Sequence, residues 1–350
     1  FWRDYIINNN VVAVHVSHTC YNHAIPLRIA IKLKIKAFLI TAESIYQLDE
    51  NNLFSGKKHF IYPKIFKNFS NESKINSLKK AKDRIKKRFS GEVGGHLVGG
   101  YYSTKSAFGK VKDKRILKQN NKFKVLIAAH CFFDSPNGAG PGLFPDNYDW
   151  FEFLCKKINT SKYDWYVKEH PDNFLENRDV LASFIKEYPK LCLLDENTSH
   201  HQLIKEGINV ALTVSGEIGF EYAALGIPVV NASLNSPHIG YNFNINPKNI
   251  EEYNSCIDNL ENIKLIINKD EVYEYYFMNN IYDDFNLFFN YRKMLSELGG
   301  YINQFYPSFY SYWLNQKDKI DDKIIKSKIS NFVDTNNYCY SDSNSFEKTL

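Results

Sequence analysis

Residues 213–230 read TVSGEIGFEYAALGIPVV. The apolar stretch Val210–Val214 predicts a buried strand that runs directly into Ser215-Gly216. The pattern then predicts a helix from Glu217 to Leu225, closed by Gly226, with Pro228 opening a strand over Pro228–Asn231. A strand, a two-residue turn, a helix and a second strand make one crossover of a parallel sheet. The same alternation continues toward the amino terminus. Strands are predicted at Phe123–Ala129, Asp164–Lys168 and Leu191–Leu194, and helices at Asn147–Lys157, Phe174–Tyr188 and His200–Glu206. A further helix, Asn249–Asn268, follows the last strand. Five short apolar strands separated by helical segments predict a doubly wound parallel sheet over residues 117–268.

Ligands of open α/β sheets bind at the carboxyl ends of the strands. A small Ser-Gly turn there exposes the N–H groups of a helix start, which suit a phosphate. Ser215, Gly216 and Glu217 are therefore candidate phosphate contacts, and Glu221, one turn into the helix, is placed to reach a ribose diol. The same pattern fits a tight turn with no ligand. In Tyr166–Asp172 (YVKEHPD) the strand runs into His170, because Pro171 cannot continue it. His170 then faces the same crevice and can donate to a phosphate. His130 ends the first strand, and with Asp134 and the turn Asn137–Gly142 it borders that crevice or an ordinary loop. No Gly-Lys-Ser or Gly-Lys-Thr follows, so this is not a Walker phosphate loop. His238, in PHIGYNFNIN after the last strand, either closes over a base or sugar or lies in a surface loop.

Outside this region the signals are weaker. Residues 1–116 open with a predicted strand (Val11–Ser17), a polar turn (His18–His23), a helix with Pro26 in its first turn, and a strand (Ala37–Thr41). This reads as the start of a second α/β domain, whose own beginning is expected to be missing because the chain opens at Phe1. Lys74–Phe89 has helical spacing at Ile75, Leu78, Ile85 and Phe89. A glycine-rich loop, 91–100, and a polar linker, 103–121, follow. His15, His18, His23, Glu43, Glu92 and His96 cluster along this half, but their spacing matches no zinc signature, so no metal is expected. Residues 269–316 read as aromatic helices and 317–350 as a flexible tail.

Composition bounds the possibilities. The chain has 350 residues, 44% hydrophobic and 24% charged, which excludes a mostly disordered or fibrous protein and suggests two domains. No apolar run approaches the roughly 18–20 residues of a membrane helix. The net charge of +5 is too small for a nucleic-acid-coating protein, so no nucleic-acid partner is expected. The excess is concentrated between Lys74 and Arg88, where eight basic residues face one acid, Asp83. Six scattered cysteines without a CxxC point to reduced thiols in a cytoplasmic protein.

KEHP after a strand, followed downstream by SGEIGFEYAALGIPVV, resembles the carboxy-terminal half of GT-B glycosyltransferases. The closer likeness is to bacterial capsule and surface-polysaccharide proteins, including the capsule β-Kdo transferases. The segments AAHCFFDSPNG and SPHIGYNFNINP also resemble capsule biosynthesis proteins. The resemblance covers residues 122–250. It implies an α/β, GT-B-like fold: two Rossmann-like domains with parallel sheets facing a cleft, the first truncated, with carboxy-terminal helices. It implies a nucleotide-sugar donor, a glycan or lipid-linked acceptor, and no cofactor or bound metal.

Carried over residue by residue, His170, Ser215, Gly216 and Glu221 become donor-nucleotide residues, with Glu217, His130 and His238 beside them. His170 assists departure of the nucleotide, and His18 and Glu92 are the candidate base or nucleophile. A non-hydrolysing sugar-nucleotide epimerase and a CDP-glycerol-type polymer transferase share these elements. A non-enzymatic capsule assembly protein that keeps the fold is the more distant alternative. The basic helix, with one apolar stripe and one cationic face, suits reversible contact with an anionic membrane at its inner face.

Overall fold

The structure, a computed structural model, describes residues 1–53, 59, 62–92, 106–134, 142–169, 175–282, 287, 290–299, 301–317, 322–335 and 337–340. The chain forms two compact units. One comprises Phe1–Ser55, Leu97–Tyr101 and Tyr282–Leu350, and the other Gly56–His96 and Tyr102–Ile281.

The first unit begins with helix α1 (Trp2–Asn8), strand β1 (Ala13–Val16), helix α2 (Tyr21–Lys32), and strands β2 (Lys36–Ile40) and β3 (Ile45–Leu48). Helix α2 starts five residues before Pro26 rather than at it. Strands β1 and β2 pair in parallel, as a βαβ start requires, but β2 and β3 are antiparallel. The hydroxyl of Thr41 decides this. It accepts from the amides of Glu43 (3.2 Å) and Ser44 (3.0 Å) and turns the chain into a hairpin. The sheet of this unit is therefore mixed, where a wholly parallel one was expected.

The second unit holds helices α3 (Tyr62–Lys67) and α4 (Asn71–Phe89), then strand β4 (Lys124–Ala128), α5 (Asn147–Thr160), β5 (Asp164–Lys168) and α6 (Leu175–Glu187). It continues with β6 (Leu191–Leu193), α7 (His200–Lys205), β7 (Val210–Thr213), α8 (Ile218–Ala224), β8 (Val229–Asn231), α9 (Ile250–Asp258) and α10 (Lys269–Tyr276). Its sheet has the order β6-β5-β4-β7-β8, every pair parallel, which is the doubly wound arrangement expected. The strands are apolar in both registers because both faces are covered. Val125 and Ile127 pack with Trp150, Phe151 and Leu154 of α5 and Tyr253 of α9. Leu126 and Tyr166 pack on the other face with Leu203 of α7 and Ile218 and Tyr222 of α8.

Two expectations change here. The basic helix α4 was placed in the amino-terminal domain, but it belongs to the second unit, where Phe66 and Phe69 beside it pack on Phe277 after α10. Its buried stripe is Ser77, Ala81 and Ile85, while Ile75 is exposed. The described part of the expected linker is strapped to α7 rather than free. The amides of Ile116 and Leu117 donate to the Glu206 carboxylate (2.9 and 2.6 Å), that of Lys112 donates to Gln202 (3.1 Å), and Leu117 is buried.

The chain then returns to the first unit with α11 (Tyr291–Glu297), α12 (Pro307–Lys317), α13 (Asp322–Val333) and strand β9 (Cys339–Tyr340). Strand β9 pairs antiparallel with β3, and Phe332 is buried with Phe38, Ile45 and Leu287. The described part of the expected flexible tail instead contains a helix and an edge strand that finish the core of this unit. No described helix is long and apolar enough to cross a membrane.

Candidate active site

In the order β6-β5-β4-β7-β8 the chain builds outward from β4 in one direction and then crosses back to build from β7 in the other. The gap between the carboxyl ends of β4 and β7 is therefore the topological switch point, where two crossovers leave on opposite faces and open a crevice. His130 follows β4, and Ser215-Gly216 follows β7. The fold brings these two sequence-predicted features together.

Their geometry is tight. The imidazole Nε2 of His130 accepts from the amide of Val214 at 3.2 Å and from that of Ser215 at 3.4 Å, and lies 2.9 Å from the Thr213 hydroxyl. Amide donors aimed at one ring nitrogen make that nitrogen an acceptor in this arrangement. The Thr213 hydroxyl in turn accepts from the Gly216 amide at 3.2 Å. Gly216 is required here, since a Cβ would lie 2.9 Å from the Thr213 oxygen. These contacts also revise the sequence reading. The amides of Val214, Ser215 and Gly216 are already engaged by protein side chains, and α8 spans only Ile218–Ala224. The side chains at the turn, rather than those amides, are what it offers a ligand. Ser215 and Gly216 are partly exposed and Glu217 is exposed.

Glu221 was expected to reach a ribose. It instead points into the protein: 4% exposed, it accepts from Arg88 Nε at 2.6 Å, while Arg88 Nη2 bridges to Glu217 at 2.5 Å. The Arg88 guanidinium also lies 5.6 Å from the centre of the Phe220 ring. Burial pushes the Glu221 carboxyl up and Arg88 pulls it back. Glu221 is the anchor of α4 on α8.

His238 is likewise interior. It is 1% exposed and packs 4.7 Å from the Tyr275 ring and directly on the backbone of Gly219, where a Cβ would come within 2.4 Å of its ring. The Asn244 amide donates to the carbonyls of Phe243 and Gly219 at 3.0 Å and accepts from His238 Nδ1 at 3.3 Å. Burial pushes the His238 imidazolium down to about 3. A neutral, buried ring positions α8 and cannot close over a base or sugar.

His18 lies in the first unit, where its Nδ1 accepts from the Cys20 amide at 3.2 Å. Glu92 follows α4 in the second unit, its amide donating to the Lys87 carbonyl at 3.3 Å. His170, His96, Gly94, Gly95 and the turn 137–141 lie outside the described residues. Among the described residues no group of three or more His, Cys, Asp or Glu gathers as for a metal ion.

Sequence reasoning missed Lys168. It ends β5, next to β4, and is only 4% exposed. In DWYVK, Lys168 shares a strand face with Tyr166, and every residue of the strand is buried. Burial lowers the Lys168 ammonium from its ordinary range, and the Glu221, Glu196, Asp195 and Glu169 carboxylates oppose that shift. Deeper on the same face, His200 of α7 bonds the Tyr222 hydroxyl at 2.8 Å, and burial holds it well below the usual histidine range.

With this geometry established, comparison with known proteins gives the following. No described protein family and no curated protein matches the chain. Solved structures do. KpsC β-Kdo 2,4 transferase of Thermosulfurimonas dismutans is 12% identical, covering 75% of this chain and 78% of its own, with a TM-score of 0.41. The β-Kdo 2,7 transferase of the same KpsC is 11% identical, covering 78% of each chain, with a TM-score of 0.40. UDP-GlcNAc 2-epimerase of Methanocaldococcus jannaschii, in complex with UDP-GlcNAc and UDP, is 13% identical over 77% of this chain and 76% of its own, at 0.29.

Two outcomes follow from the buried groups. Glu221→Ala takes the buried carboxylate away from Arg88 and leaves its ion pair with the exposed Glu217. It should destabilise the protein by about 3 kcal/mol, part of which the double variant with Arg88→Ala recovers. Urea unfolding of the three variants measures this, and a single-variant loss below about 1 kcal/mol would contradict the anchor. His238 and His200 bind protons in the unfolded chain near pH 6.5 but stay neutral when folded. Stability is therefore full above that pH and falls as the pH drops toward 3, by at most about 1.4 kcal/mol per pH unit for each. In unfolding midpoints between pH 7.5 and 5, His238→Asn should show about half the wild-type dependence attributable to the pair; an unchanged slope would mean that His238 titrates normally.

Proposed function

We propose that this chain is a sugar-nucleotide enzyme that transfers a sugar from a nucleotide-sugar donor to a capsule or other surface-polysaccharide acceptor. The observation that carries the reading is the switch point itself, where His130 after β4 meets the Ser215 turn after β7 and is bonded to its amides. Glycosyl transfer needs groups that stabilise charge on the departing phosphate, and polar side chains held in place at the carboxyl ends of two strands supply this without reorganisation. Ser215, Gly216 and Glu217 border the same crevice. The motif likeness of KEHP and SGEIGFEYAALGIPVV to capsule transferases supports the nucleotide sugar as ligand and His170 as a second phosphate partner. His18 and Glu92 stand as proposed base or nucleophile. Glu221 and His238 act indirectly, by holding α8.

The exposed lysines of α4 add a proposed contact with an anionic membrane. Lys79, Lys80, Lys86 and Lys87 all face solvent, whereas Arg88 is withdrawn into its pair with Glu221.

Incubation with a panel of nucleotide sugars, with and without capsule glycan, should release free nucleotide only when acceptor is present. Conversion of the nucleotide sugar without acceptor would make the chain an epimerase, and a failure to bind any nucleotide sugar would remove the enzyme reading. On vesicles containing anionic lipid the protein should sediment at low salt and be released as salt rises. Replacing the four lysines with Gln should weaken this, since each contributes about 1 kcal/mol at most and is screened within about 10 Å. Equal partitioning onto neutral and anionic vesicles would leave α4 as a solvated helix.

A further inference from the structure

An ammonium is rarely buried without partners, because taking it out of water costs several kcal/mol that only hydrogen bonds or a counter-charge offset. Lys168 is such a group. It is 4% exposed, at the carboxyl end of β5, and it has no hydrogen bond or ion pair with any described residue. It is not short of carboxylates nearby, but each is engaged elsewhere. Glu221 is bound by Arg88 at 2.6 Å. Glu196 and Glu169 both pair with Arg178, the latter at 3.6 Å. Asp195 accepts from the Asn197 amide at 2.7 Å. The fold thus engages the acids around Lys168 with other donors, and among the described residues none takes up its three N–H groups. Strand β5 is the neighbour of β4, so the residue stands one strand from His130 at the edge where the sheet opens.

We propose that Lys168 is the cation that receives the phosphate of a nucleotide in this crevice, a contact that rests on the donor-site reading above. A charge-assisted bond from a desolvated ammonium is stronger than one from a surface lysine, and it discriminates by phosphate rather than by base or sugar.

The test measures binding of uridine, cytidine, guanosine and thymidine, each beside its 5′-monophosphate and 5′-diphosphate, to the wild-type chain and to Lys168→Met. The wild type should bind the phosphorylated form of its preferred nucleoside at least tenfold more tightly than the nucleoside. Lys168→Met should abolish that difference and leave nucleoside affinity unchanged. Its urea midpoint should stay the same or rise, because an unpaired buried charge has been removed. A fallen midpoint would overturn the proposal by making Lys168 the structural counter-charge of Glu221. A phosphate preference retained in a well-folded Lys168→Met would overturn it while leaving the donor site standing. A wild type that binds nucleosides and nucleotides alike, or neither, would overturn the donor-site reading itself.

Discussion

Strand β4 is covered on both faces, by α5 and α9 on one side and by α7 and α8 on the other, and this double burial dictates the second unit. Val125, Leu126 and Ile127 of β4 are all withdrawn from water. The strand sits centrally, with β5 and β7 on its flanks and helices above and below. The crossovers that leave β4 and β7 on opposite faces open a crevice between their carboxyl ends. His130 follows the carboxyl end of β4, so its position is a consequence of packing far from any ligand.

Charge burial organises the same region. Arg88 links a long basic helix to α8 through two carboxylates of opposite exposure, Glu221 inside and Glu217 outside. The inner carboxylate also acts on the Lys168 ammonium, opposing the effect of its burial. Helix α8 is held from its other side by His238 and Asn244 against the bare backbone of Gly219. Helix α8 is therefore fixed by side chains from α4 and from the loop after β8, and the turn that precedes it inherits that rigidity.

Local pattern revealed much of the second unit and little of the first. The strands over 123–231 announced themselves because continuous apolar runs bounded by Gly, Pro and Ser have few other solutions. The mixed sheet of the first unit was not legible, because its direction reverses on a single hydroxyl, Thr41, and its last strand comes from Cys339–Tyr340, almost three hundred residues away in sequence. Within the site, Ser215, Gly216 and His130 could be nominated because strand ends are visible in sequence. Glu221 and His238 were placed on the correct elements, but their orientation was not readable.

By itself, the sequence determined the alternation of strands and helices, the Ser-Gly turn after β7 and the clustering of basic residues on α4, since each depends on neighbours within a few turns of chain. Only the tertiary structure decided where the charges went. Arg88 and Glu221 meet across 133 positions, Arg88 and Arg178 pair with acids that lie near Lys168, and His130 accepts from amides 84 and 85 positions away. Periodicity reports which face of an element is buried. It carries no information about which distant partner is buried against that face, and in this protein those distant partners set the chemistry of the crevice.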